Sequence, residues 1–221
     1  MSKVLVWDLP LRLFHWLLVA LVVTSIVSAK IGGNAMQLHM WSGYALLTLV
    51  LFRILWGFLG STHARFASFL RGPAAVFAYL GAMARREPQR HLGHNPAGAW
   101  SIVLMLLVLL LQVGTGLFAN DDIATEGPLA KLVSRALSDR LTGLHHLNVK
   151  LLFALIALHL SAVLYYLLGK GENLVRPMIS GYKDIATTEP TVARHASVGL
   201  ALALVALCAL LVFLLIRLPA A

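Results

Sequence analysis

Residues 141–169 read LTGLHHLNVKLLFALIALHLSAVLYYLLG, an apolar run long enough to cross a bilayer as one helix. His145 and His159 within it lie about 21 Å apart along a helix axis and about 40° apart around it, at 1.5 Å and 100° per residue. One face therefore offers an imidazole near each side of a membrane. His146 is turned about 140° from His159 and is the weaker candidate of the adjacent pair. An ionisable residue inside hydrocarbon is costly and calls for a reason. Metal coordination is one, since imidazole suits iron; a hydrogen bond to a neighbouring helix is another.

The rest of the chain sets the context. Of 221 residues, 59% are hydrophobic and 12% charged, with a mean hydropathy of +0.82. These values fit an all-α integral membrane protein rather than an ordinary soluble domain. The length suits about five spans with short connections. The net charge of +9 comes from basic residues in the loops between apolar runs. A basic face for nucleic acid is therefore not expected, and membrane lipid is the expected surroundings. Cys208 is the single cysteine, which excludes an internal disulfide and covalent haem attachment through a Cys-x-x-Cys-His motif. The first apolar run lacks a small-residue cleavage site and is read as a retained helix.

In chain order, the pattern predicts spans from Pro10 to about Ala29, about Leu38 to Leu59, about Ala97 to Phe118, through the stretch quoted above, and from Ala196 to Arg217. Residues 60–96 form a basic loop with room for one amphipathic helix; it carries Arg65, Arg71, Arg85, Arg86 and Arg90, and His63, His91 and His94 are read as surface residues. A short amphipathic helix is expected over Pro128–Leu137. Gln112, Gly114, Thr115 and Gly116 read as a close-packing surface. The fifth span carries no ionisable group before Arg217 and reads as peripheral. Twelve of the eighteen Lys and Arg residues fall on the side of the amino terminus and six on the other. The positive-inside rule then places the amino terminus in the cytoplasm and the carboxyl terminus outside.

Depth sorts the remaining histidines. The first span runs outward and the fourth inward, so His15 and His159 share one level, while His39 and His145 share the other. Each pair comes from two different helices, the arrangement that two stacked, six-coordinate haems require. A mononuclear zinc or copper site wants three or four donors close together, and no carboxylate or cysteine flanks these histidines. Gly43, one turn after His39, leaves room for a flat macrocycle or a neighbouring helix. From depth alone, Arg12 and Arg53 are candidate propionate partners at one level, and Lys150, His146 and Lys30 at the other; for Arg53 a lipid-facing, snorkelling position is the alternative.

Several segments in order, VWDLPLRLFHW, HMWSGY, RILWGFLGSTHARFASFLRGP, GHNPAGAW, the H-x13-H of the fourth span and ENLVRPMISGYK, resemble the prokaryotic cytochrome b561 family. The resemblance covers roughly residues 5–183. It implies a four-helix transmembrane haem-binding bundle over residues 1–183, followed by a linker and a fifth transmembrane helix over 184–221. It also implies two non-covalent haem b groups, His15 with His159 and His39 with His145, in a bacterial inner membrane with a periplasmic carboxyl terminus. The implied activity is electron transfer between the quinone pool and a redox partner such as cytochrome c, a dehydrogenase or a hydrogenase, with a quinone as a further bound ligand. Two other readings stay open: a superoxide:quinone oxidoreductase acting without a partner, and a non-redox membrane anchor.

Overall fold

The first span begins where the chain supplies a cap. Asp8 Oδ1 accepts the Leu11 amide at 2.8 Å and Pro10 occupies the first turn, so helix α1 runs Leu9–Ile31. The computed structural model describes residues 2–85, 87, 91–123, 125–185 and 193–218; Arg86, Arg90 and part of the expected linker lie outside them.

After α1 come α2 (Met36–Leu59), α3 (Phe66–Phe69), α4 (Pro73–Ala84) and α5 (Pro96–Gly116). Next are α6 (Arg135–Leu164), α7 (Val175–Ser180) and α8 (Val198–Arg217). A π turn, Tyr165–Gly169, prolongs α6. Asn95 caps α5 and Ser197 caps α8, each through a side-chain oxygen. Among the described residues, five helices are long and apolar enough to cross a membrane: α1, α2, α5, α6 and α8. The protein is an all-α integral membrane protein, with one small sheet among the described residues.

Two local expectations need correction. The stretch Pro128–Leu137 does not form a separate helix. A single tight turn spans Ala130–Leu132, and the Ser134 side chain accepts the Leu137 amide at 3.3 Å, opening α6 well before its apolar run. Among the described residues of 60–95 there are two helices, not one. Arg65 in extended conformation ends the turn after α2 and starts α3, and Gly72–Pro73 restarts the chain as α4.

The closely packed pairs are α1 with α2, α5 with α6, and α2 with both α5 and α8. Among the described residues, α6 has no extended packing against α1 or α2. Space therefore separates α6 from the two helices that carry His15 and His39. The fifth span lies along α2 and buries Ala201, Leu204, Cys208 and Val212. Its entry is latched to the end of α2: Thr62 N donates to Arg194 O at 3.0 Å, and Ala196 N donates to Ser61 Oγ at 3.0 Å.

The sheet joins strand β1 (Ser2–Leu5) antiparallel to β2 (Tyr182–Ile185), with Leu5 opposite Tyr182. Gly181 makes this junction possible. Its φ of +89° suits glycine, and a Cβ there would lie 2.9 Å from Trp7 O, while the Val6 and Trp7 amides both donate to its carbonyl.

Below the sheet, Arg53 is 2% exposed, with its guanidinium 5.0 Å over the Phe66 ring and Asp8 as its nearby counter-charge. Asp8 Oδ2 also accepts the Trp56 indole N–H at 3.1 Å. A lipid-facing Arg53 is thereby ruled out. Asp8→Ala removes a cap, an indole partner and a counter-charge together, and should cost about 2–4 kcal/mol. Asp8→Asn, which keeps the cap, should lose less; thermal unfolding in detergent measures both.

Candidate functional site

At the level farther from the amino terminus, His39 of α2 and His145 of α6 face each other, with ring centroids 6.2 Å apart and ring planes at 88°. Two imidazoles on opposite sides of one metal ion, each bonded at about 2.0–2.1 Å, have centroids roughly 6.3 Å apart. The observed spacing therefore suits a bis-imidazole iron.

Both rings are held from behind. His39 Nδ1 lies 2.8 Å from Ser25 O of α1, and His145 Nδ1 lies 2.9 Å from Gln112 O of α5. Each Nδ1–H donating to a carbonyl leaves Nε2 with its lone pair, the tautomer a metal ligand needs. Gln112 Nε2 stands 3.1 and 3.2 Å from the two ring nitrogens of His145, so it lies across the ring rather than on the axis of either. Asn148, buried one turn along α6, donates to Gln112 Oε1 at 2.8 Å and to Val108 O at 3.0 Å. Gly116 lets the ring approach, since a Cβ there would fall 3.0 Å from His145 Cε1.

Space beside these rings is open on the α2 side. A Cβ on Gly43 would meet nothing within 4 Å, so the helix surface one turn from His39 is bare. Lys150 and Lys30 are exposed, as is His146, whose ring stands edge-on to His145 at 6.2 Å.

At the level nearer the amino terminus, His15 of α1 and His159 of α6 are within electrostatic reach of each other. His15 packs edge-on to Trp16 at 5.0 Å, and its Nδ1 is buried without a partner among the described residues. Arg12 NH1 donates to Ile179 O, and Trp16 Nε1 donates to Met178 O at 3.2 Å. Both residues therefore tie α1 to the segment after α6. The NH1 of Arg53 is buried and unpaired among the described residues.

The three loop histidines are not the surface residues expected. They are only partly exposed, and a nitrogen of each, His63 Nε2, His91 Nε2 and His94 Nδ1, is buried without a partner among the described residues. His94 sits between Trp7 at 4.5 Å and Phe69 at 4.7 Å. Together with Ser68, Arg71 and Pro96 they line a cavity of about 240 Å³. Burial holds all three pKa values below the ordinary range; that of His94, with the Arg53 and His63 charges adding to burial, falls to about 3. These imidazoles are neutral near pH 7. The enclosure of His94 depends on Trp7 from the start of the chain, a contact that local polarity does not reveal.

The profile of one family, prokaryotic cytochrome b561, matches residues 6–181. The chain belongs to that family. Among curated relatives, a probable Ni/Fe-hydrogenase B-type cytochrome subunit of Azotobacter vinelandii is 25% identical over 223 residues, covering 86% of this chain and 92% of the relative. A protein of the same name from Rhodobacter capsulatus is 24% identical, covering 82% of each chain. One from Rhizobium leguminosarum bv. viciae is 21% identical, covering 83% of this chain and 91% of the relative. No solved structure matches. As a cytochrome b561, the protein is a membrane b-type cytochrome of electron transfer, and its cofactor is haem b.

What sequence reading missed is the support around His145. Gln112 and Thr115 were legible as polar residues in an apolar span, and Asn148 follows His145 at helical i+3 spacing, which was the available signal. The loop histidines give a test of acid stability. An unfolded His94 titrates near 6.5 and the folded one near 3, so between those values the unfolded chain binds the proton preferentially. Stability should therefore fall as the pH drops from 7 to 5, by about 1–2 kcal/mol from this residue. His94→Phe, which keeps the aromatic stack, should flatten that part of the melting-temperature profile.

Proposed function

We propose that this cytochrome b561 is a two-haem electron relay across the bilayer, with His15 and His159 as one ligand pair and His39 and His145 as the other. The observation that carries this reading is the facing His39–His145 pair, spaced for one iron, each ring oriented by a carbonyl from a third and fourth helix. Haem b supplies reversible one-electron chemistry of its iron when bound. The chain's own task is to hold four imidazoles in hydrocarbon at two depths. If each haem took the imidazole pair assigned to it, its iron would have no position free for oxygen, which favours relay over oxygen activation.

Charge near each level has a place in this reading. Arg53, with its free NH1 and low exposure, is the preferred propionate partner on the amino-terminal side, with Arg12 Nε as a second donor. Lys150 serves the other level. The excess of basic residues on the amino-terminal side orients that side to the cytoplasm and the carboxyl terminus to the periplasm of a bacterial inner membrane. Residues 1–183 form the relay domain, and α8 is an added flank on α2.

The partners follow from chemistry and from the relatives' names. A hydrogenase, another dehydrogenase or a cytochrome c exchanges electrons at one face, and the quinone pool at the other. The cavity lined by His63, His91 and His94 supports a quinone on the amino-terminal side. Its neutral imidazoles can bond a neutral carbonyl or hydroxyl without burying net charge. Its volume lies below the about 300–1,000 Å³ typical of pockets enclosing a whole drug-sized ligand, which suits a headgroup whose tail stays in lipid.

A pyridine haemochrome assay on purified protein should count two haems per chain. Alanine at His15 or His159 should remove one, and alanine at His39 or His145 the other; a full complement in all four variants would overturn the ligand assignment. A His63→Leu, His91→Leu double variant should raise the KM for a short-chain quinol at least tenfold and leave the redox spectrum unchanged. An unaltered KM would move the quinone elsewhere.

A further inference from the structure

The two ligand levels differ in what stands behind the imidazoles. At the far level both rings have Nδ1 against a backbone carbonyl, Ser25 O for His39 and Gln112 O for His145. At the near level His15 Nδ1 is buried with no acceptor among the described residues. A ring N–H shared with a carbonyl puts electron density onto the opposite nitrogen and makes it a stronger donor to a metal. Stronger donation favours the oxidised ion and lowers its reduction potential.

We propose that the Gln112–Asn148–Gly116 seat around His145, with Ser25 O behind His39, sets the far iron to a lower potential than the near one, so that an electron in the relay rests on the amino-terminal side. The inference rests on the ligand pairs proposed above and goes beyond them by assigning their potential order and the residues that impose it. Each member of the seat has a separate part. The Gln112 carbonyl takes the Nδ1 proton. The Gln112 side chain lies across the ring and stops it rotating away from that carbonyl. Asn148, 3% exposed, pins the Gln112 side chain through Oε1 and anchors itself on Val108 O. Gly116 keeps clear the surface against which the ring lies. Thr115 Oγ1, which donates to Leu111 O at 2.7 Å, can accept the same Nδ1 proton at 3.3 Å, but it is the longer of the two acceptors.

These are positioning residues, and the test reads a potential. Potentiometric titration of the detergent-purified holoprotein, with each wave assigned from His15→Ala and His145→Ala proteins that keep one haem, should place the far wave below the near wave. Gln112→Met, which fills the same space without the amide, should raise the far wave by about a tenfold change in its oxidised-to-reduced ratio, about 59 mV for one electron. The near wave should stay in place. Gly116→Ala should move the far wave in the same direction by displacing the ring. Ser25→Ala, which removes the hydroxyl 3.2 Å from His39 Nδ1 but keeps the carbonyl at 2.8 Å, should shift it less than twofold. The electron paramagnetic resonance signal of the far haem should move in Gln112→Met, and the haemochrome count should stay at two.

A far wave above the near wave in the unaltered protein would overturn the inference. So would a Gln112→Met or Gly116→Ala protein with two haems and unmoved waves. Either result leaves the ligand assignment standing, whereas unchanged haem content in the histidine variants removes that assignment and the inference with it.

Discussion

An imidazole carried into hydrocarbon gains by placing its ring proton on an acceptor, because no water is there to take it. At the level of His39 and His145 this preference recruits two helices that contribute no ligand candidate there: α1 through Ser25 O and α5 through Gln112 O. Two carbonyls thus decide ring orientation, tautomer and the direction in which the free nitrogens point. The packing follows the same demand. The helix with two of the four histidines is docked on α5 by Asn148, Leu152 and Leu155, and it leaves open the side towards α1 and α2.

The amino-terminal end of the bundle solves a different polar problem. Arg53, Asp8 and Trp56 form a buried polar group in which Asp8 accepts the Leu11 amide and the indole N–H and is the counter-charge near the guanidinium. Such a buried polar grouping is weak evidence for stability, since desolvation offsets attraction. Its value here is geometric, because it fixes the start of α1 against the end of α2, and Trp7 beside it closes over His94. Loop residues between α2 and α5 are folded onto that surface and so acquire the partial burial that a basic, glycine-containing segment does not advertise.

Hydropathy was enough to read the five spans, while the spacing of His145 and His159 and the depths of His15 and His39 supplied four candidates for ligation. Both signals are local or periodic, so they survive in one dimension. The small sheet did not, because four-residue strands lying 180 residues apart have no pattern long enough to register. The early start of α6 was obscured because Ser134 caps a helix whose first turns are polar, whereas apolar content guided the span limits. Gln112 and Asn148 read as packing polars, and their relation to His145 appears only when α5 and α6 are set side by side.

The pairing of residues 2–5 with 182–185 also governs the order of assembly. A ribosome making about 5–20 residues per second needs on the order of 10–40 s to deliver the second strand after the first. Throughout that interval the amino-terminal tail has no partner strand, even after α6 itself is complete. The tie between the start of the chain and the segment after α6 therefore closes late, once all the helices except α8 have been made.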